Sequence, residues 1–203
     1  MSNSYKNIDV IKYRNNPVSL LDDFSLLDFP VNLNKLAKKL EINLDYKNCD
    51  KNLSGKIEYK HSSNTVNIYI NNQEPKFRQR FSLAHEISHF IYDFDFQQDK
   101  DKYREDSREL FRKDLFNPIE RRADKFAEQL LMPKELFRNQ ALKLKTSLFQ
   151  NTKLKMVNIY TIVKKLSDLF EVSIPAVIFR LNSIELIKES MRNNLFSFHN
   201  QIR

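Results

Sequence analysis

Hydrophobic positions recur at helical spacing in several stretches of the chain and at strand spacing in one. From Pro30, PVNLNKLAKKLEINL sets Leu33, Leu36, Ala37 and Leu40 three and four residues apart. That is one face of an amphipathic helix, with Asn32 or Asn34 as its cap. GKIEYK and NTVNIYI come next, alternating or rich in β-branched and aromatic residues and joined by HSSN. They predict a β-hairpin after a turn at Gly55. Pro75 suits the first turn of a helix, and KFRQRFSLAHEISHFIYDF spaces Phe77, Phe81, Ala84, Ile87 and Ile91 helically. Residues 93–118 are highly charged and read as a mobile loop or a short exposed helix. Pro118 closes that stretch, and Asn117 is placed to cap the next helix. IERRADKFAEQLLMP is this second amphipathic helix, with Ile119, Ala123, Phe126, Ala127, Leu130 and Leu131 on its inner side. Pro133 ends it or begins another. The remainder is helical in pattern, without an evident internal repeat.

With 203 residues and 41% hydrophobic content, the chain fits one compact domain with appendages or two small ones. No apolar run approaches the roughly 20 residues that span a bilayer. The N-terminus is polar, has no apolar core, and is expected to be neither signal peptide nor anchor; residues 1–16 are expected to be loosely held. The single cysteine, Cys49, cannot form an internal disulfide, which favours a cytoplasmic location. One glycine in the whole chain, Gly55, excludes glycine-rich phosphate loops and dinucleotide fingerprints. The net charge of +8 is uneven: residues 138–203 hold 11 basic and 4 acidic side chains. This organisation divides the chain into a polar segment 1–29, a core 30–137 and a basic helical region 138–203.

The chemistry concentrates in FSLAHEISHFIY. On a helix, residues i and i+4 lie one above the other, so His85 and His89 direct two imidazoles toward one point. Zinc accepts imidazole nitrogen in tetrahedral geometry, and Glu86, one step round the helix, flanks the metal as a proton carrier. That is the logic of His-Glu-x-x-His in metalloproteases. This composition yields the pattern by chance in roughly 0.5% of such chains, so a third ligand is needed. His61 falls in the hairpin turn and His199 near the end of the chain. Asp93 and Asp95 follow the helix too closely to fold back onto the metal easily. Glu120 opens the second amphipathic helix and is the favoured third ligand. Asp124, one turn later on the same face, is placed to accept a ring N–H from a histidine. The bland alternatives are a helix-dipole charge for Glu120 and a surface partner of Arg121 or Lys125 for Asp124. Tyr92 is a weak candidate for stabilising an oxyanion.

RQRFSLAHEISHFIY followed by ERRADKFAEQLLMP closely resembles the ImmA/IrrE family of metallopeptidases. There a helix reading Arg-Phe-(Thr/Ser)-Leu-Ala-His-Glu-x-x-His precedes one reading Glu-x-x-Ala-(Asn/Asp)-x-Phe-Ala-x-x-Leu-Leu-Met-Pro. The resemblance extends over roughly residues 30–187, taking in PVNLNKLAKKLEINL, LSG and LSDLFEVSIPAVIFRL. It implies that His85, His89 and Glu120 bind Zn²⁺ and that Glu86 is the general base. It implies an α+β, zincin-like fold: a short antiparallel sheet against the active-site helix, with additional helices and a helical C-terminal segment. Such proteins are often encoded with mobile elements, and several cleave a helix-turn-helix repressor. Ser88 stands where the family commonly has glycine, and the charged segment 93–118 is a second departure. The first 30 residues are too few for a DNA-binding domain, so the repressor is expected to be a separate chain.

Two other readings compete. TIVKKLSDLFEVSIPAVIFRLNSI has the spacing of a helix-turn-helix and lies in the basic region, which suggests direct DNA binding. Val177, Ile178 and Phe179, however, leave few polar groups on the would-be recognition helix. A purely structural zinc would normally close with cysteines or a fourth protein ligand, and Cys49 lies far upstream.

Overall fold

The computed structural model describes residues 10–50, 52–60, 62–93, 102–107, 117–148 and 156–202, with residues 102–107 and 156–158 described by backbone alone. The chain falls into two compact units, one up to Leu131 and one from Met132. The first contains a 3-10 turn (Val10–Tyr13), α1 (Pro17–Asp23), α2 (Leu33–Lys39), β1 (Asn43–Lys47), β2 (Leu53–Lys60), β3 (Thr65–Asn71), α3 (Lys76–Tyr92), β4 (Lys102–Ser107) and α4 (Pro118–Leu131). The second contains α5 (Lys134–Leu148), α6 (Met156–Phe170), α7 (Ile174–Ser183) and α8 (Glu189–Gln201). The fold is α+β, with a small sheet packed on the helix that carries the histidines.

Local chemistry sets the helix starts. Asn32 Oδ1 accepts from the Lys35 amide at 2.9 Å and so caps α2. Asn117 Oδ1 accepts from the Ile119 amide at 3.0 Å, ahead of α4. Each side chain satisfies a donor that the first turn of a helix leaves without an intrahelical acceptor.

The sheet order is β1-β3-β2-β4. β2 and β3 form the hairpin that their alternation predicts, with Ile57 opposite Ile68 and Tyr59 opposite Val66. The turn's His61, like Asp95, residues 1–9, 94–101 and 108–116, lies outside the described residues. Two strands differ from expectation. β1 pairs in parallel with β3, making the sheet mixed rather than wholly antiparallel. Its sequence, NLDYK, buries almost nothing and so carries no alternation to read. β4, KYREDS, pairs antiparallel with β2 from Tyr59↔Lys102 to Leu53↔Ser107, so part of the charged segment is a strand. An edge strand needs only backbone pairing and tolerates charged side chains.

Gly55 also differs: it lies inside β2 rather than at a turn. It shares the inner face with Ile57 and Tyr59, both buried. Opposite β4 the register shifts between Leu53 and Gly55. Such bulges bend a strand and re-aim its side chains, often beside active sites.

Ile57, Tyr59, Val66, Ile68 and Ile70 form the buried face of the sheet, and α3 packs against β2 and β3. α4, α2 and the 3-10 turn cover the rest of α3. Every residue from Ser82 to Ile91 is consequently buried, polar ones included. Of the residues expected to be loosely held, 10–16 pack into this unit, as do 17–29. Tyr13, Leu20, Leu21 and Leu26 are buried. Arg14 Nε donates to the Ile91 carbonyl at 3.0 Å and Nη2 to that of Tyr92 at 3.3 Å. These are the carbonyls that a helix C-terminus leaves without intrahelical donors.

In the second unit, Ser173 caps α7, its Oγ accepting from the Ala176 amide at 3.3 Å. Val177, Ile178 and Leu181 are buried. Arg180 is buried as well, donating from Nε and Nη2 to the Met132 carbonyl at 2.9 and 2.7 Å. Phe179 is exposed, its ring in tilted contact with that of Phe196 of α8. Among the described residues, no helix is long and apolar enough to cross a membrane.

Candidate active site

α3 supplies the two histidines one turn apart, with ring centroids 4.8 Å from each other. Their Nε2 atoms approach to 3.0 Å. α4 packs against this part of α3 and delivers Glu120 from its first turn. Glu120 Oε2 lies 3.0 Å from His85 Nε2 and 3.5 Å from His89 Nε2. Donor atoms around a tetrahedral zinc, at bond lengths of 2.0–2.1 Å, stand about 3.3 Å apart. The three contacts straddle that spacing.

The other ring nitrogens explain why the Nε2 atoms can serve as ligands. His85 Nδ1 lies 3.0 Å from Asp124 Oδ1, and His89 Nδ1 lies 2.6 Å from Asp93 Oδ2. A carboxylate beside Nδ1 holds the ring proton there and leaves the lone pair on Nε2. Two imidazole lone pairs and a carboxylate then converge on one point. Such a set repels itself unless a cation lies among its members. His85, His89 and Glu120 are therefore suited to hold a divalent metal, and their chemistry is that of a His₂Glu zinc site.

The charge balance points the same way. Burial by itself raises the Glu120 carboxyl, but hydrogen bonds with His85 and His89, and their charge, hold it far below the ordinary carboxylate range. Burial pulls His89 down, but the hydrogen bonds with Asp93 and Glu120 and the charge of Glu86 raise it above the usual histidine value. The cluster draws positive charge into a buried place.

Glu86 is fully buried, on the same helix. Tyr92 is committed elsewhere: its hydroxyl donates to the Arg14 carbonyl, and its ring packs edge-on against Phe126 with the Arg122 guanidinium 4.4 Å from its centroid. His199 pairs with the Tyr160 hydroxyl at 2.6 Å in the second unit. The role of Asp93 is not evident from a search for ligands alone. It stands at the C-cap of α3, four residues after His89. The helical offset that aligns His85 with His89 also aligns His89 with Asp93. Asp93 Oδ1 is paired in turn with Arg122 Nη2 of α4.

No curated protein matches the chain significantly. The IrrE N-terminal-like domain matches residues 37–182, which include both motif helices, the sheet, α5, α6 and nearly all of α7. With that match and its buried His-His-Glu cluster, the chain belongs to the IrrE N-terminal-like domain family and is a zinc metallopeptidase of the ImmA/IrrE type.

Proposed function

We propose that this protein is an endopeptidase of regulatory proteins, with a separate helix-turn-helix repressor as its substrate and the cytoplasm as its place of action. The observation that carries the peptidase reading is the convergence of His85 Nε2, His89 Nε2 and Glu120 Oε2 beside the buried Glu86. Resemblance to ImmA/IrrE proteins supports the repressor as substrate.

In this reading His85, His89 and Glu120 would hold the metal. A zinc ion held there would supply Lewis acidity for activating water and the scissile carbonyl. Glu86 takes the proton from the attacking water and passes it to the departing amine. Asp124 and Asp93 fix the two imidazoles by holding the proton on each Nδ1. The Arg122 guanidinium steadies Asp93 from its other oxygen.

The test is co-incubation with a helix-turn-helix repressor encoded beside this gene, with and without a zinc chelator, using Glu86→Gln as control. The expected result is a discrete cleavage that the chelator abolishes. Glu86→Gln keeps its zinc and slows cleavage by about 10²–10⁴-fold. An unchanged rate in that variant refutes the mechanism, and an intact repressor beside an enzyme that cuts other peptides refutes the substrate.

A further inference from the structure

We infer that Gly55 is a positioning residue for Glu86: the side chain it lacks leaves the space in which the Glu86 carboxylate is held. The inference rests on the reading of Glu86 as the proton-transfer group.

Gly55 is the only glycine among 203 residues, and it is not used for backbone freedom. Five described positions have the left-handed conformation that favours glycine, and they are filled by Ser25, Glu41, Asn64, Glu171 and Glu185. Gly55 has no positive φ and lies within a strand. Glycine is a poor strand residue, because it loses more conformational freedom than others and brings no side chain to pack. Its presence there calls for another reason, and the space around it supplies one. A Cβ at this position would lie 3.1 Å from Glu86 Oε1, 3.4 Å from Glu86 Cγ and 3.4 Å from Ile70 Cδ1. The first contact is too tight for a carbon beside an oxygen that does not move, whereas the other two are ordinary contacts. The conflict falls on the atom that must exchange a proton.

Other features hold the glycine in register. It pairs with Ile70 of β3 on one side and Asp106 of β4 on the other, at the site of the register shift. Ser54, just before it, is buried, and its Oγ donates to Glu74 Oε1 at 3.2 Å. Asn71 Nδ2 donates to the Leu53 carbonyl at 2.8 Å. The strand is tied down on both sides of the point where it meets Glu86, so an added methyl group is relieved most readily by moving the carboxylate. A displacement of a few tenths of an ångström is enough to spoil a proton transfer that depends on hydrogen-bond reach.

The test compares Gly55→Ala, Gly55→Ala with Ile70→Val, and a melting cycle of Gly55→Ala in wild-type and Glu86→Ala backgrounds. Zinc content is measured throughout, and kcat and KM are read on a quenched-fluorescence peptide that the wild-type protein cleaves. Gly55→Ala is expected to keep stoichiometric zinc and its KM, with kcat reduced about tenfold or more. Ile70→Val removes the Cδ1 contact and is expected not to restore the rate. In the wild-type background Gly55→Ala lowers Tm. In the Glu86→Ala background, where Cγ and Oε1 are gone, the penalty disappears, since replacing a strand glycine then removes only unfolded-state freedom. The inference is overturned by an unchanged kcat in zinc-loaded Gly55→Ala, by restoration through Ile70→Val, or by a melting penalty that persists without Glu86. A zinc-loaded wild type with no peptidase activity sinks instead the reading of Glu86, and the melting cycle still decides whether Gly55 and Glu86 are coupled.

Discussion

Removing the carboxylate of Asp93 tests whether the Nδ1 partners shape the metal site. Asp93 Oδ2 lies 2.6 Å from His89 Nδ1, and its side chain is only 7% exposed. A short, charge-assisted hydrogen bond in so dry a place is stronger than a neutral one. Asp93→Asn keeps an oxygen that can accept from Nδ1–H but loses the charge. Asp93→Ala loses both, and the ring is then free to turn or change tautomer. Loss of such a partner typically lowers metal affinity by about 10–100-fold, which places Asp93→Asn near the lower figure and Asp93→Ala near the upper. On a free-energy scale these are about 1.4 and 2.8 kcal/mol. The partner of the other histidine has a longer contact, 3.0 Å, and Asp124 is 38% exposed. Water replaces part of what Asp124→Ala removes, so that variant is expected to lose less than Asp93→Ala. The assay is competitive zinc titration against a chelator of known affinity, with circular dichroism to confirm the fold. The Asp93–Arg122 pair is broken in both Asp93 variants, so Arg122→Ala serves as the control for that loss. Equal zinc affinity in wild type and Asp93→Ala refutes the role of the Nδ1 partner. An effect of Arg122→Ala as large as that of Asp93→Ala assigns the loss to the ion pair instead.

The remaining predictions concern the ligands and protons. His85→Ala is expected to abolish stoichiometric zinc, read by elemental analysis of the dialysed protein; full occupancy refutes the ligand assignment. Chelation of the wild-type protein is expected to lower Tm, because the assembled site favours zinc binding to the folded state: free zinc at a thousand times its Kd is worth at most about 4 kcal/mol. Calorimetry with and without chelator reads the shift, and coincident transitions refute it. Zinc binding requires neutral imidazole, and His89 is raised above 6.5 in the metal-free site. Protons therefore compete more strongly as the pH falls through the raised His89 value, while at higher pH this competition is absent. A zinc titration across this range checks the direction, and affinity that rises on acidification refutes it.

Much of the fold was legible because it rests on periodicity. The inward faces of α2, β2, β3, α3 and α4 repeat at 3.6 or 2 residues, and most of the repeated positions are buried; Phe77, at the start of α3, is exposed, and Phe81 and Ile119 are half-buried. Where burial is absent the signal disappears. NLDYK of β1 and KYREDS of β4 join the sheet by backbone pairing, which does not require an alternating apolar face. Arg14 was invisible for a different reason. It holds α3 by satisfying backbone carbonyls 77 and 78 residues away in sequence, and no local pattern records that.

The site follows the same division between what recurs locally and what converges in space. His85 and His89 announce themselves by a four-residue offset, and Glu120 and Asp124 repeat that offset on a second helix. Asp93 obeys it too, yet a search confined to metal ligands passes over it, because it meets Nδ1 of His89, the ring nitrogen that does not face Glu120. Gly55 has no partner at any fixed spacing, and in sequence its rarity reads as a turn. Only the position of Glu86, 31 residues along the chain, gives the missing side chain a meaning. Ligands are recognised by the atoms they present. The groups that aim those atoms are recognised by what lies on their far side, and for Gly55 that is the absence of an atom where the Glu86 carboxylate must be.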